Sequence, residues 1–153
     1  MTNKYKITFG DLQIGDIAKY YLQKAIDKNW VTEGDNVREF ENKFAEKFGY
    51  KHSIMTSSGT DADICACASL LEFGANRQDE IITPALSFVA TANSILAAGF
   101  IPRFVDISLD SGNFLNIDPN KIEDAITSKT KAIMVVHTMG KPGKMDEILE
   151  IAE

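Results

Sequence analysis

The sequence predicts an α/β protein whose mostly parallel sheet is flanked by helices. Three observations carry that expectation. From His52 onward, short apolar runs alternate with helical ones in the order β, α, β, α. The later runs are rich in β-branched residues, as strands are. No internal repeat, low-complexity tract or long linker interrupts the pattern.

Taken in order, Ile14, Ile17, Tyr21 and Ala25 recur at helical spacing. Val37, Phe40, Phe44 and Phe48 do so again, and Gly49 follows where a helix C-cap is expected. Between these two amphipathic helices, Trp30-Val31-Thr32-Glu33-Gly34 breaks the pattern and reads as an exposed loop whose glycine takes an unusual backbone angle. Ser53 to Thr56 then reads as a strand, Thr60 to Phe73 as a helix, Glu80 to Thr83 as a strand and Val89 to Ala98 as a helix. Ile101 to Ile107 and Lys131 to His137 continue the strands, with a short helix around Asn120 to Ile126 and a last helix from Met145. The domain expectation is an N-terminal helix and connecting segment over residues 1–34, then one α/β body over residues 35–153.

With 153 residues, the chain is long enough to bury one substantial core. A net charge of -6 sets many carboxylates against any extended nucleic-acid or acidic-membrane surface, although one phosphate can still be held locally. Cys65 and Cys67 are the only cysteines and lie too close together to form a disulfide framework, so a reducing, cytoplasmic setting is expected. Met1 to Lys6 lead into no apolar signal segment, and no run reaches the roughly 20 apolar residues of a spanning helix.

In an open parallel sheet, ligands gather where strands lead into helix N-termini. Three segments occupy such joints. Ser57-Ser58-Gly59-Thr60 opens an Ala-rich helix, where small hydroxyl side chains and a glycine let a phosphate approach unpaired backbone N–H groups. The same residues also make an ordinary helix cap, and both readings stand at this point. Asp61 adds charge that complements the helix dipole, and its backbone N–H is a further candidate donor. The second joint, Thr83 to Thr91, places Phe88 at a helix entrance, where it either stacks on a flat ring or packs in the core. The third, His137-Thr138-Met139-Gly140, carries an imidazole expected to be a hydrogen-bonding residue rather than a catalyst. G-x-G-x-x-G and G-x-x-x-x-G-K-[ST] are both missing, against dinucleotide and nucleoside-triphosphate sites. Cys65, Cys67 and His52 have no neighbours at metal-ligand spacing; no metal site is expected, and at least one cysteine is expected in the core. Asp106, Asp110 and Asp118 read as solvated or turn-forming.

An ordered series of motifs resembles the DegT/DnrJ/StrS family of sugar aminotransferases. Trp30-Val31-Thr32-Glu33-Gly34 precedes Phe40-Glu41 and Phe44-Ala45; Ser58-Gly59-Thr60-Asp61-Ala62 follows. Next come Asp79 to Pro84, Phe88 to Asn93 and Phe104-Val105-Asp106, with Lys129 to Ile133 and Met145-Asp146 completing the set.

The resemblance implies the three-layer, mostly parallel sheet of the fold-type-I pyridoxal-phosphate-dependent transferase large domain. It also implies pyridoxal 5'-phosphate as cofactor, cycling through pyridoxamine 5'-phosphate, and transfer of an amino group, usually from glutamate, to a nucleotide-linked keto sugar. Ser58, Gly59, Thr60 and the backbone of Asp61 would hold the cofactor phosphate, and Phe88 would lie against its pyridine ring. A cytoplasmic homodimer serving cell-surface polysaccharide, such as lipopolysaccharide, or secondary-metabolite synthesis is the expected setting. In the family, a later strand supplies an aspartate to the pyridine nitrogen and a lysine further on forms the Schiff base; the sequence has no counterpart of either, so no catalytic residue is assigned. The expectation is an incomplete large domain, an N-terminal part inactive alone, in which His52 to Thr56 lacks its sheet neighbours. The family's dehydratase branch, with histidine in place of that lysine and the aminated cofactor, is the alternative, as is a non-catalytic truncated paralogue. Two positions depart from the family pattern: Asp63, where an apolar residue is usual, and Gln78, where glycine is common before Asp79.

Overall fold

The computed structural model describes residues 12–153, which fall into two compact units divided between Met55 and Thr56. The expectation for Met1 to Lys6 lies outside the described residues.

In the first unit, α1 (Asp16–Asp27) and α2 (Asp35–Phe48) are the two expected helices. α2 ends as its sequence predicts. Gly49 turns left-handed at φ 74°, and the N–H of Tyr50 reaches back to the Ala45 carbonyl, closing the last turn. Phe40, Phe44 and Phe48 stack in succession along one face, their ring centroids 5.8 and 4.6 Å apart. Gly34 corrects an expectation. Its φ of -167° is ordinary extended backbone, and the glycine is needed because a Cβ there would sit 2.8 Å from the Trp30 indole.

The strand expected over Ser53 to Thr56 does not form. One backbone group that a ladder would use bonds α2 instead, the Met55 N–H donating to the Glu41 carboxylate at 2.8 Å, and the Ser53 hydroxyl adds a bond to the Glu41 carbonyl at 2.6 Å.

The second unit is the α/β body. Three parallel strands, β1 (Glu80–Pro84), β2 (Ile101–Val105) and β3 (Thr130–Ile133), lie in the order β2-β1-β3. Ile81 pairs with Pro102 on one side and Ala132 on the other. Because successive side chains of a strand point to opposite faces, neighbouring Ile81 and Ile82 enter different cores. Ile81 packs with Cys67, Ile95, Ala98 and Phe100 from α3 (Gly59–Ser69), α4 (Val89–Ala97) and the chain just beyond α4. Ile82 packs with Val105, Ile117, Ile122 and Ile148, the last from α5 (Met145–Ala152). A helix-sheet-helix layering follows, with the central strand buried on both faces as parallel strands usually are.

β3 is shorter than its sequence suggests, and β1 supplies the reason: after Ile82 accepts from the Met134 N–H, β1 runs into Pro84, which has no N–H to offer. β2 also stops early, at Val105, while Ile107 turns to bridge Ile117 in the antiparallel sense. The helix expected around Asn120 to Ile126 is a pair of 3-10 turns, Pro119–Lys121 and Glu123–Ala125, started by the Asp118 carboxylate accepting from the Asn120 N–H. The helix read from Thr60 to Phe73 tightens into a 3-10 turn over Leu70–Phe73. Among the described residues, no helix is long and apolar enough to cross a membrane.

Candidate functional site

The start of α3 brings Ser57, Ser58, Gly59, Thr60 and Asp61 into one turn. Ser58 is extended, φ -155° and ψ 163°, and its Oγ accepts from the Asp61 N–H at 3.1 Å, an N-cap that its position between loop and helix dictates. The Thr56 hydroxyl donates to the Ser58 carbonyl at 2.8 Å and steadies the approach. The N–H groups of Gly59 and Thr60 meet no acceptor among the described residues, as the geometry of a first helical turn requires. A Cβ built on Gly59 would touch nothing within 4 Å, and Gly59 is exposed. Unpaired N–H groups at a helix N-terminus, together with the helix dipole, are donors of the kind that could hold an anion.

Asp61 changes that picture in two ways. Its N–H, a candidate ligand donor from sequence, is already committed to Ser58. Its carboxylate accepts hydrogen bonds from both the Ser57 and the Ser58 hydroxyls, the latter at 3.0 Å. These bonds, Ser57's first, hold the Asp61 carboxyl below the usual carboxylate range. α3 itself contains no basic residue, so its own positive potential comes from backbone dipoles.

Behind the turn, Ser94 of α4, fully buried, donates its hydroxyl to the Thr60 carbonyl at 3.3 Å. That bond fixes the first turn of α3 against the middle of α4. Phe88 is the N-cap residue of α4, six residues before Ser94, or roughly 9 Å along the helix axis at ~1.5 Å per residue. Phe88 is 78% exposed, so it is outside the core formed by the described residues. Sequence reasoning missed Ser94; the hint available was a small hydroxyl beside Ile95 on the buried side of α4.

The remaining candidates take structural roles. His137 Nδ1 accepts from the Gly143 N–H at 3.2 Å, which places any single imidazole proton on Nε2. Asn116, also missed, ties that loop down: its carbonyl oxygen accepts from the Thr138 N–H at 2.9 Å, and its amide donates to the Lys141 and Pro142 carbonyls. Asp106 pairs with Lys121 at 2.9 Å, and the Asp110 carbonyl accepts from the Asn113 N–H within a turn. Cys67 is in the core, where burial pushes its thiol up, while Cys65 is exposed. Gln78 carries φ 72°, the left-handed conformation that favours the glycine it replaces. Among the described residues, no cluster of His, Cys, Asp or Glu has the geometry of a metal site.

The DegT/DnrJ/EryC1/StrS aminotransferase family matches residues 13–153. The chain belongs to this family. Over 137 residues it is 42% identical to the GDP-4-keto-6-deoxy-D-mannose 3-dehydratase of Yersinia pseudotuberculosis, a match covering 86% of this chain and 34% of the relative. Over 131 residues it is 44% identical to the 3-oxo-glucose-6-phosphate:glutamate aminotransferase of Bacillus subtilis, covering 86% of this chain and 28% of that enzyme. Among solved structures, the E. coli GDP-4-keto-6-deoxy-D-mannose-3-dehydratase with bound hydrated PLP superimposes at a TM-score of 0.80 and 34% identity, over 95% of this chain and 36% of that one. The chain thus spans about a third of the length of the relatives it matches.

Proposed function

We propose that the protein carrying these residues transfers an amino group from an amino-acid donor, glutamate, to a nucleotide-linked keto sugar, using pyridoxal 5'-phosphate. The observation that carries this reading is the pair of unpartnered amides at Gly59 and Thr60, at the start of α3, in a chain of this family. The donor set suits a phosphate monoester: two unbonded N–H groups in the first turn of α3, the Ser57, Ser58 and Thr60 hydroxyls in the same turn, and no Cβ at Gly59. When bound, the cofactor supplies an electron sink for chemistry next to the amino-bearing carbon. The part played by this chain is to hold the phosphate at Gly59 and Thr60 and to cover one ring face with Phe88. A cytoplasmic homodimer is the proposed setting, and amino sugars of surface polysaccharides are the proposed products.

Gly59→Pro tests the phosphate assignment. Proline is well tolerated at the first helical position, and the extended Ser58 before it is the conformation a following proline favours, so the helix survives while one amide donor is lost. Equilibrium dialysis is expected to show pyridoxal phosphate binding weakened about tenfold, as for one charge-assisted hydrogen bond, with unphosphorylated pyridoxal unaffected. Equal loss for both ligands would remove the phosphate from this turn.

The Yersinia relative supports a second reading, removal of the sugar 3-hydroxyl by the family's dehydratase branch. Nitrogen-labelled glutamate separates the two: label recovered in the nucleotide sugar supports amination, whereas a deoxygenated sugar without label supports dehydration.

A further inference from the structure

The placement of the Asp61 side chain deepens the cofactor reading and rests on it. A ligand phosphate arriving at Gly59 and Thr60 needs the neighbouring hydroxyl protons for its remaining oxygens. Two of those protons, from Ser57 and Ser58, point at one oxygen of the Asp61 carboxylate. The same residue's N–H holds the cap through Ser58 Oγ, so Asp61 grips the turn from both ends: its backbone as donor, its side chain as acceptor. No lysine or arginine in α3 offsets the charge.

We propose that the Asp61 carboxylate is an internal stand-in for the ligand phosphate, occupying the serine hydroxyls until a phosphate monoester displaces it. Asp61 is then a specificity-determining residue. A singly charged anion gains too little at the two amides to evict a carboxylate already bonded to both hydroxyls, whereas a dianion, drawn by the amides and the helix dipole, displaces it. The displaced side chain rotates into water, and the cap survives because it uses the backbone N–H, which does not move with the carboxylate. The cost of displacement, together with residual repulsion between the carboxylate and the bound dianion across a few ångströms of solvent, weakens phosphate binding by roughly three- to tenfold relative to a neutral side chain.

The test is a chemical-shift titration of the isotope-labelled chain and its Asp61→Asn variant, following the Gly59 and Thr60 amides. Inorganic phosphate, pyridoxal phosphate and pyridoxal are added in separate experiments. The variant is expected to bind the two phosphates about three- to tenfold more tightly than the wild type, with pyridoxal unchanged. The Asp61 side-chain carbon of the wild type, which titrates below the usual carboxylate range in the free chain, is expected to return toward that range at phosphate saturation. If both proteins shift at Gly59 and Thr60 but the variant binds no more tightly, the stand-in role is overturned and the phosphate site stands. Absence of any shift at these amides in either protein overturns both. Should Asp61→Asn lose its dispersed spectrum, Asp61→Ser keeps the backbone donor and reads out the same comparison.

Discussion

Ser57 and Ser58 are adjacent, chemically identical and both bonded to Asp61, yet the structure gives them different work, and substituting each with alanine separates the two roles. Ser58→Ala removes the oxygen that accepts the Asp61 N–H at the start of α3. Loss of an N-cap serine costs about 1 kcal/mol, which at every urea concentration is roughly a fivefold fall in the ratio of folded to unfolded chain. Ser57 touches only the exposed carboxylate, so Ser57→Ala is expected to stay within ~0.5 kcal/mol of wild type. The order reverses for the Asp61 carboxyl. Ser57 is the larger cause of its lowered titration and Ser58 the smaller, so Ser57→Ala moves it further back toward the ordinary range. The sign follows from a folded value depressed below the unfolded one: this carboxylate stabilises the fold above the ordinary carboxylate range, about pH 3.9, and the contribution is lost as pH falls through the depressed value. Urea denaturation at neutral pH, with the slope checked for constancy, measures the first effect; carbon-detected titration of Asp61 measures the second. Equal destabilisation by the two substitutions, or a Ser58→Ala cost below ~0.3 kcal/mol, would refute the assignment of the cap.

Three further outcomes follow from the packing. Ile82→Ala empties a fully buried position on the central strand and should cost about 3 to 4 kcal/mol by denaturant midpoint, with the loss falling in the α5-side core. Gln78→Gly relieves a left-handed non-glycine residue whose N–H is bonded to the Gly99 carbonyl; relief outweighs the added unfolded-state entropy, so a gain of ~0.5 kcal/mol is expected where a glycine substitution usually destabilises. In a timed alkylation of the native chain, Cys65 reacts first and Cys67 only on unfolding, because the Cys67 thiol is buried in the core and raised; comparable labelling rates would contradict that placement.

The parallel sheet, the α3 and α4 helices and the left-handed end of α2 were legible because local chemistry and tertiary packing agree there. Gly49 follows a strong apolar stripe, and the short β-branched run at Ile81-Ile82, bounded by Pro84, suits a strand buried on both faces. At Ser53 to Thr56 the composition suits a strand and the expected lack of sheet neighbours was legible; what was not legible is that Glu41, twelve or more positions earlier, bonds the Ser53 hydroxyl and the Met55 N–H. The end of β3 depended on Pro84, some fifty residues away in sequence. At the candidate site, the hydroxyls and glycine announced a helix cap, which Ser58 makes. What composition did not reveal was the direction of the Asp61 side chain, because a first-turn aspartate satisfies the helix dipole equally well facing water or folded back onto the serines.

A crystal structure of this chain with pyridoxal phosphate decides whether the start of α3 grips a cofactor phosphate. Expected are phosphate oxygens within hydrogen-bonding distance of the Gly59 and Thr60 N–H groups, the Asp61 carboxylate turned away from Ser57 and Ser58, and the Phe88 ring against the pyridine. A cofactor bound elsewhere, with Asp61 still on both serine hydroxyls, would contradict it.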